Sequence, residues 1–458
     1  MAGFFIYDLG FLVIFTIFIF LFLYKKRKNL KREGIMYLYR TKLGIKVINY
    51  IGKKYSRILH VIKYLVIFIG YLLMAGMIYL LSQTVYIYIK VPEITKIIKA
   101  PPIAPLIPYF PKIFGVESLF PPFYFTYFIL ALAIVAIAHE FSHGIFMRLF
   151  KIKIKSTGFA FLGPILGAFV EEDRKQFEKK KKIEQMSVLA AGTFANVVMS
   201  LLFFGLLIGF FFLAFSPAGF KFNSYSLGIA NSSEITSISQ EGNFTRIISQ
   251  NQSFLLDENL KKQLDENSAQ IIAYYDLPAV RSGLKGAIIQ MNDIKIKNAE
   301  DLQEFLKNKN PGDKIEIKTI DDGEILNWNI TLGENPLDKI KPAIGISHSS
   351  SNPNGIISKV ILKFAGFKNP AVYYKPKFNG NFVIFIYNLF WWIMLINILV
   401  ALFNMLPLGI LDGGRFFYLT ILSISGSEKI SKIIFRFATY LILFSFILIT
   451  LVWFFRVF

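Results

Sequence analysis

Long apolar runs alternate with polar stretches along the chain, and six of them reach the roughly 20 residues that a helix needs to cross about 30 Å of hydrocarbon. They lie near residues 4–24, 62–89, 123–149, 186–215, 386–405 and 433–455. Between the second and third, Pro101, Pro102, Pro105, Pro108 and Pro111 punctuate an apolar stretch that cannot be one regular helix, which suits an outer interfacial segment. The apolar stretch from Gly158 to Val170, containing Gly163, Pro164 and Gly167, is too short and too rich in Gly and Pro to cross. Residues 216–385 are polar, with alternating strand patterns and a helix-like run from Asn298 to Leu306. The pattern predicts a polytopic α-helical membrane protein carrying an α+β region outside the bilayer.

Composition agrees, with 54% apolar residues and a mean hydropathy of +0.50. The formal charge of +21 invites a nucleic-acid reading, but its distribution points to membrane flanks. Residues 216–380 hold 19 Lys/Arg against 18 Asp/Glu, so the excess lies around the apolar segments. The 25–63 stretch carries 13 Lys/Arg and one acid, and 150–184 ends in the run Lys179 to Lys182. Both read as cytosolic loops, which places the N-terminus and residues 216–385 outside. The first apolar run is too long for a signal-peptide core and is followed by its positive charge, as in a retained anchor. Sequons at Asn231, Asn243, Asn251 and Asn329 all fall in the outer region, although an Asn- and Ser-rich stretch also makes them by chance. With no cysteine, any transition metal must rest on His and carboxylate ligands, and there are four histidines.

The third run contains His139-Glu140-Phe-Ser-His143, an HExxH inside a hydrophobic helix. Positions i and i+4 project from one face, so both imidazoles can grip one cation, with Glu140 beside a metal-bound water as general base. Packed histidines with a surface glutamate are the bland alternative. Inside a membrane span each such group needs a polar partner, which disfavours it. Tetrahedral zinc then lacks one protein ligand. His60 lies in the basic loop and His348 in the outer region, whereas Asp412 follows a Pro/Gly-broken helix end in Asn404-Met-Leu-Pro407-Leu-Gly-Ile-Leu-Asp412-Gly413. His139 sits about 16 residues into a helix entering from outside, roughly 24 Å deep, on the inner side where the fifth run also ends. Asp412 is therefore the expected third ligand, and the site is expected near the cytosolic leaflet.

Together, HExxH and NxxPxxxxDG resemble the two signatures of the site-2 protease family of intramembrane zinc metalloproteases. The resemblance implies Zn2+ held by His139, His143 and Asp412, water activated by Glu140, and a polar role for Asn404 near the substrate backbone or developing oxyanion. Gly192-Thr-Phe-Ala-Asn196 looks like the family's GxxxN feature, which would bring Asn196 to the substrate site, while small residues at this spacing equally serve close helix packing. The Gly158–Val170 stretch looks like the family's re-entrant β-hairpin, whose Gly163 and Gly167 would line the cleft and capture an unwound substrate segment, or it is a structural interfacial loop. Residues about 269–347 resemble a PDZ domain, and the family implies that such a module filters substrates by size after another protease has trimmed them. Its carboxylate-binding loop is not locatable, and 224–268 reads as a polar insertion of no evident purpose.

The expected organisation is thus 1–90 (first two helices and basic loop), 91–121 (interfacial segment), 122–215 (first part of the catalytic core), 216–385 (outer region) and 386–458 (second part of the core). The expected function is regulated intramembrane proteolysis of single-span membrane proteins, with the lipid bilayer and not nucleic acid as surroundings. A catalytically silent adaptor binding partners through the PDZ-like region is the competing class. A metal transporter is disfavoured because the candidate ligands cluster at one depth.

Overall fold

The structure, a computed structural model, describes residues 2–34, 36–91, 100–104, 106–162, 165–265, 268–321, 323–348 and 366–457. They form two compact units, Met1–Phe211 with Asn381–Phe458, and Phe212–Gly380.

Among the described residues, eight helices of ten residues or more carry the first unit: α1 (Ala2–Lys26), α2 (Ile45–Lys54), α3 (Ser56–Lys90), α4 (Phe125–Leu149), α5 (Lys182–Ala214), α6 (Gly380–Asn404), α7 (Asp412–Ser425) and α8 (Glu428–Val457). All except α2 and α7 are long and apolar enough to cross a membrane, and the chain is a multi-pass membrane protein. Hydrocarbon offers backbone groups no partners, so each apolar run closes its amides internally as helix. One core joins α3, α4, α5 and α7 through Val66, Phe146, Ala190, Met405 and Phe416. A second is aromatic, with Phe123 against Trp392 at 4.0 Å between ring centroids and Tyr127 buried beside them.

Asp8, almost wholly buried in α1, explains how the first helix attaches. Its carboxylate accepts from the backbone N–H of Phe125 (2.8 Å) and Thr126 (2.9 Å), and from the Tyr109 hydroxyl (2.7 Å). The first residue before α4, Tyr124, offers no side-chain cap, so Asp8 supplies from a neighbouring helix the acceptor that the orphan N–H groups need.

Strands β1 (Leu30–Glu33), β2 (Met36–Thr41), β3 (Ile154–Leu162) and β4 (Ile165–Glu172) form one antiparallel sheet in that order. The stretch read from sequence as a basic loop, 25–63, therefore contains two strands and an amphipathic helix. The alternation in Met36-Tyr-Leu-Tyr-Arg-Thr is only six residues long and is obscured by the surrounding lysines. It pairs as Tyr39 with Phe159, while Ala160 opposes Gly167 across the hairpin. Gly163 and Pro105 lie outside the described residues.

The second unit holds two larger sheets. Strands Leu227–Asn231, Gln270–Tyr275, Gln252–Leu256, Phe244–Ser249 and Ile235–Glu241 form the first, in that spatial order, over a core of Ile247, Phe254, Leu256, Ile271 and Ala273. The second runs Glu324–Thr331, Lys314–Asp321, Ala287–Met291, Phe215–Lys221 and Val372–Pro376, covered by the helix Ala299–Lys307 through Leu302 and Phe305. The strand Gln270–Tyr275 thus packs with 224–268 instead of opening the 269–347 module, and flanking strands from 215–221 and 372–376 complete the other sheet. Alternation signals a strand but not its partner. The polar insertion is a folded sheet with Ile247, Phe254 and Leu256 turned into its core.

Candidate metal and catalytic site

On α4, His139 and His143 stand one turn apart, both buried, with ring centroids 4.7 Å from each other. Their Nε2 atoms are 3.1 Å apart. Asp412 reaches the pair from the first turn of α7: its Oδ2 lies 3.1 Å from His139 Nε2 and 3.2 Å from His143 Nε2. Local sequence dictates this approach. After α6 the chain turns through Met405–Leu411, and α7 starts packed back on that turn. A Cβ at Gly413 would collide with the Met405 backbone, and one at Gly414 with the Leu408 carbonyl, so the two glycines allow the aspartate to be delivered here.

Three ligand-type atoms separated by 3.1–3.2 Å fit a single small cation. Tetrahedral zinc with N and O ligands at about 2.0–2.1 Å holds them about 3.3 Å apart. Gly192 on α5 keeps the centre open: a Cβ there would strike His143 Nε2 and sit 2.6 Å from His139 Nε2. The surroundings fix the imidazoles as metal ligands need. His143 Nδ1 donates to the Val188 carbonyl at 2.7 Å, leaving the Nε2 lone pair facing Asp412. His139 Nδ1 lies 3.0 Å from the Asn196 amide nitrogen, and Asn196 is fully buried with its Oδ1 lacking a partner. With Nε2 given to a cation, Nδ1 carries the proton, and that unpaired oxygen is the acceptor it calls for.

Glu140 points from α4 toward the sheet, where its Oε2 accepts from the Val170 backbone N–H at 2.9 Å. Val170 lies on β4, the strand at the end of the sheet, with its N–H turned to the HExxH helix. A mainly apolar cavity of about 140 Å3 opens beside Glu140, lined among others by Leu43, Phe141, Gly158, Phe169 and Val170. The far end of β4 is tied to α7 by Glu172 and Arg415, 3.0 Å apart, with the guanidinium over the Phe177 ring.

Of the residues singled out from sequence, the structure brings together His139, Glu140, His143, Asp412 and Asn196. Gly167 sits on β4 opposite Ala160. Asn404, the last residue of α6, is half-buried and makes no hydrogen bond to the two histidines or Asp412 among the described residues. His60 packs against the Phe150 ring and His348 Nδ1 donates to the Lys221 carbonyl, both outside the cluster. Sequence reasoning missed the Val188 carbonyl and the Val170 N–H, since backbone groups leave no side-chain signature. It missed Arg415 although that residue follows the aspartate motif directly.

The family model described as Peptidase family M50 matches residues 127–448. An uncharacterized protein of Methanocaldococcus jannaschii is 26% identical over 413 residues, covering 88% of this chain and 83% of that protein.

Proposed function

Because the chain belongs to peptidase family M50, we propose that it hydrolyses a peptide bond within the transmembrane segment of membrane-anchored substrates, with zinc held by His139, His143 and Asp412 and with Glu140 as general base. The observation that carries this reading is the convergence of three ligand atoms within 4.8 Å, drawn from two motifs 273 residues apart, with a carboxylate on the next residue. Bound zinc would supply a Lewis acid and lower the pKa of a coordinated water toward neutrality.

The chain's own residues do the rest. Glu140 takes the proton of the attacking water and returns it to the leaving amine. The Val170 N–H holds one carboxylate oxygen and leaves the other for that transfer. A transmembrane helix hides its amides in i to i−4 bonds, so its scissile segment must unwind, and the free edge of β4 offers N–H and C=O partners to an extended segment running past Glu140. The hairpin serves as the re-entrant element of the cleft, and Asn404 serves the substrate backbone. The 216–385 region, with its PDZ-like portion, lies outside the cell membrane and filters substrates by size after a first cleavage by another protease.

Protein purified in detergent should bind about one zinc and cleave a model transmembrane segment weakened by helix-breaking residues. Glu140→Gln should lower turnover at least about 10³-fold while leaving zinc content intact. Unchanged cleavage by that variant sinks the mechanism. An adaptor would bind less than about 0.1 zinc per chain and cleave nothing.

A further inference from the structure

Helix α2 is clamped along its inner face to the helix that carries both histidines. Ile48 is fully buried against Gly144, where a Cβ would meet its side chain at 2.9 Å. A Cβ at Gly52 would likewise meet the Arg148 side chain at 2.9 Å, and Gly44, at φ +83°, lets the Phe141 ring pass where a Cβ would lie 2.5 Å away. Three contacts at successive turns thus hold α2 against residues 141–148.

The opposite face is unusual for an exposed surface. Val47 and Tyr50, one turn apart on α2, are 50% and 59% exposed. Lys46, Lys53, Lys54 and Arg57 surround them, and none has a carboxylate partner among the described residues. Lys54 instead donates to the Tyr50 hydroxyl at 2.9 Å and lies over the Tyr50 and Tyr55 rings. The surrounding 25–63 stretch carries 13 cations and one acid, Glu33, which pairs with Lys31 and Arg40 instead. An apolar residue beside an aromatic belt residue, rimmed by uncompensated cations on long stems, matches the boundary between acyl chains and anionic headgroups. A water-facing helix would gain nothing from the pair, and a nucleic acid would have no use for it.

We propose that the outer face of α2 docks on anionic phospholipid headgroups of the membrane that the chain spans. The inner face then ties that lipid contact to the HExxH helix. The inference needs only the membrane insertion and the packing of α2, and stands whether or not the chain is a protease.

The full chain contains no cysteine, so Val47→Cys gives one labelling site for an environment-sensitive fluorophore. The labelled protein is placed in nanodiscs of phosphatidylcholine alone or with about one third phosphatidylglycerol. The expected result is a blue shift and a higher thermal midpoint with phosphatidylglycerol, neither reproduced by soluble glycerol 3-phosphate. Lys46→Gln/Lys53→Gln/Lys54→Gln should abolish both responses while keeping the wild-type midpoint in phosphatidylcholine. If that triple variant does not fold, Lys46→Gln and Lys53→Gln singly should each reduce the responses at least about twofold. Equal responses in the two lipids overturn the proposal, as does a response that survives the α2 substitutions or is lost with Lys179→Gln/Lys180→Gln/Lys181→Gln instead.

Discussion

At the scale of single residues, the site depends as much on what is absent as on what is present. Gly192 has no side chain to occupy the space shared by His139 Nε2 and His143 Nε2, and any Cβ there would fall among the ligand atoms. Gly192→Ala should therefore cut bound zinc from about one to below about 0.1 per chain, because a fixed helix cannot move its backbone without breaking the α4–α5 packing. Metal analysis of the folded variant checks this, and full zinc occupancy would show that the cation sits elsewhere. His139, Glu140 and His143 were legible in the sequence because HExxH imposes helical geometry on its own residues, and Asp412 through the second motif at the broken helix end. The supports were not, since Val188 and Val170 act through backbone groups that any residue carries. Asn196 was legible as a position but not as a role, since its spacing serves packing equally well.

At the scale of elements, α1 has a task that hydropathy could not disclose. Asp8 offers each oxygen to two donors: Oδ2 to Phe125 N–H and the Tyr109 hydroxyl, Oδ1 to Thr126 through both its N–H and its hydroxyl. Asp8→Asn turns an amide N–H2 toward two of those donors, leaving buried groups unpaired at the start of α4. A loss of about 1–3 kcal/mol follows, together with weaker attachment of α1. Unfolding in mild detergent with increasing denaturant should show it, and a variant as stable as wild type would mean that α1 is held by its aromatic contacts alone. The strands β1 and β2 were likewise hidden. Their short alternation lies in a stretch whose charge dominates, and only pairing with β3 reveals why Tyr39 and Phe161 both meet the Phe22 ring.

At the scale of the whole molecule, spans were read to within a few residues because lipid admits one solution for an apolar run. In the second unit the 269–347 reading departs from the sheets at three strands, Gln270–Tyr275, Phe215–Lys221 and Val372–Pro376, because water admits many partners. What joins those two sheets is also testable. Asp276, its side chain 7% exposed, receives hydrogen bonds from Ser253 on an adjacent strand of its own sheet and from Arg281 in the helical turn Pro278–Ser282, whose Ala279 lies in the core of the other sheet, with Arg246 3.6 Å away. Burial by itself would push this carboxyl up, but the hydrogen bonds and the arginine charges outweigh it and hold it below the ordinary value. A carboxyl depressed on folding stabilises above its unfolded pKa of about 3.9, and that contribution drains away as pH falls through it toward the folded value. Proteolysis within 216–380 should accelerate below about pH 4, and Asp276→Asn should flatten that dependence; an identical slope in the variant would assign the acid sensitivity to other groups. The orientation proposed from the charge distribution is testable in the same cysteine-free background. Under that proposal, with 19 cations against 18 acids in 216–380 and 13 against one in 25–63, single cysteines at Ser237 and at Lys53 should react with an impermeant maleimide from opposite faces of sealed vesicles. Labelling of both from one face would reverse or break the span count, and with it the assignment of the site to the cytosolic leaflet.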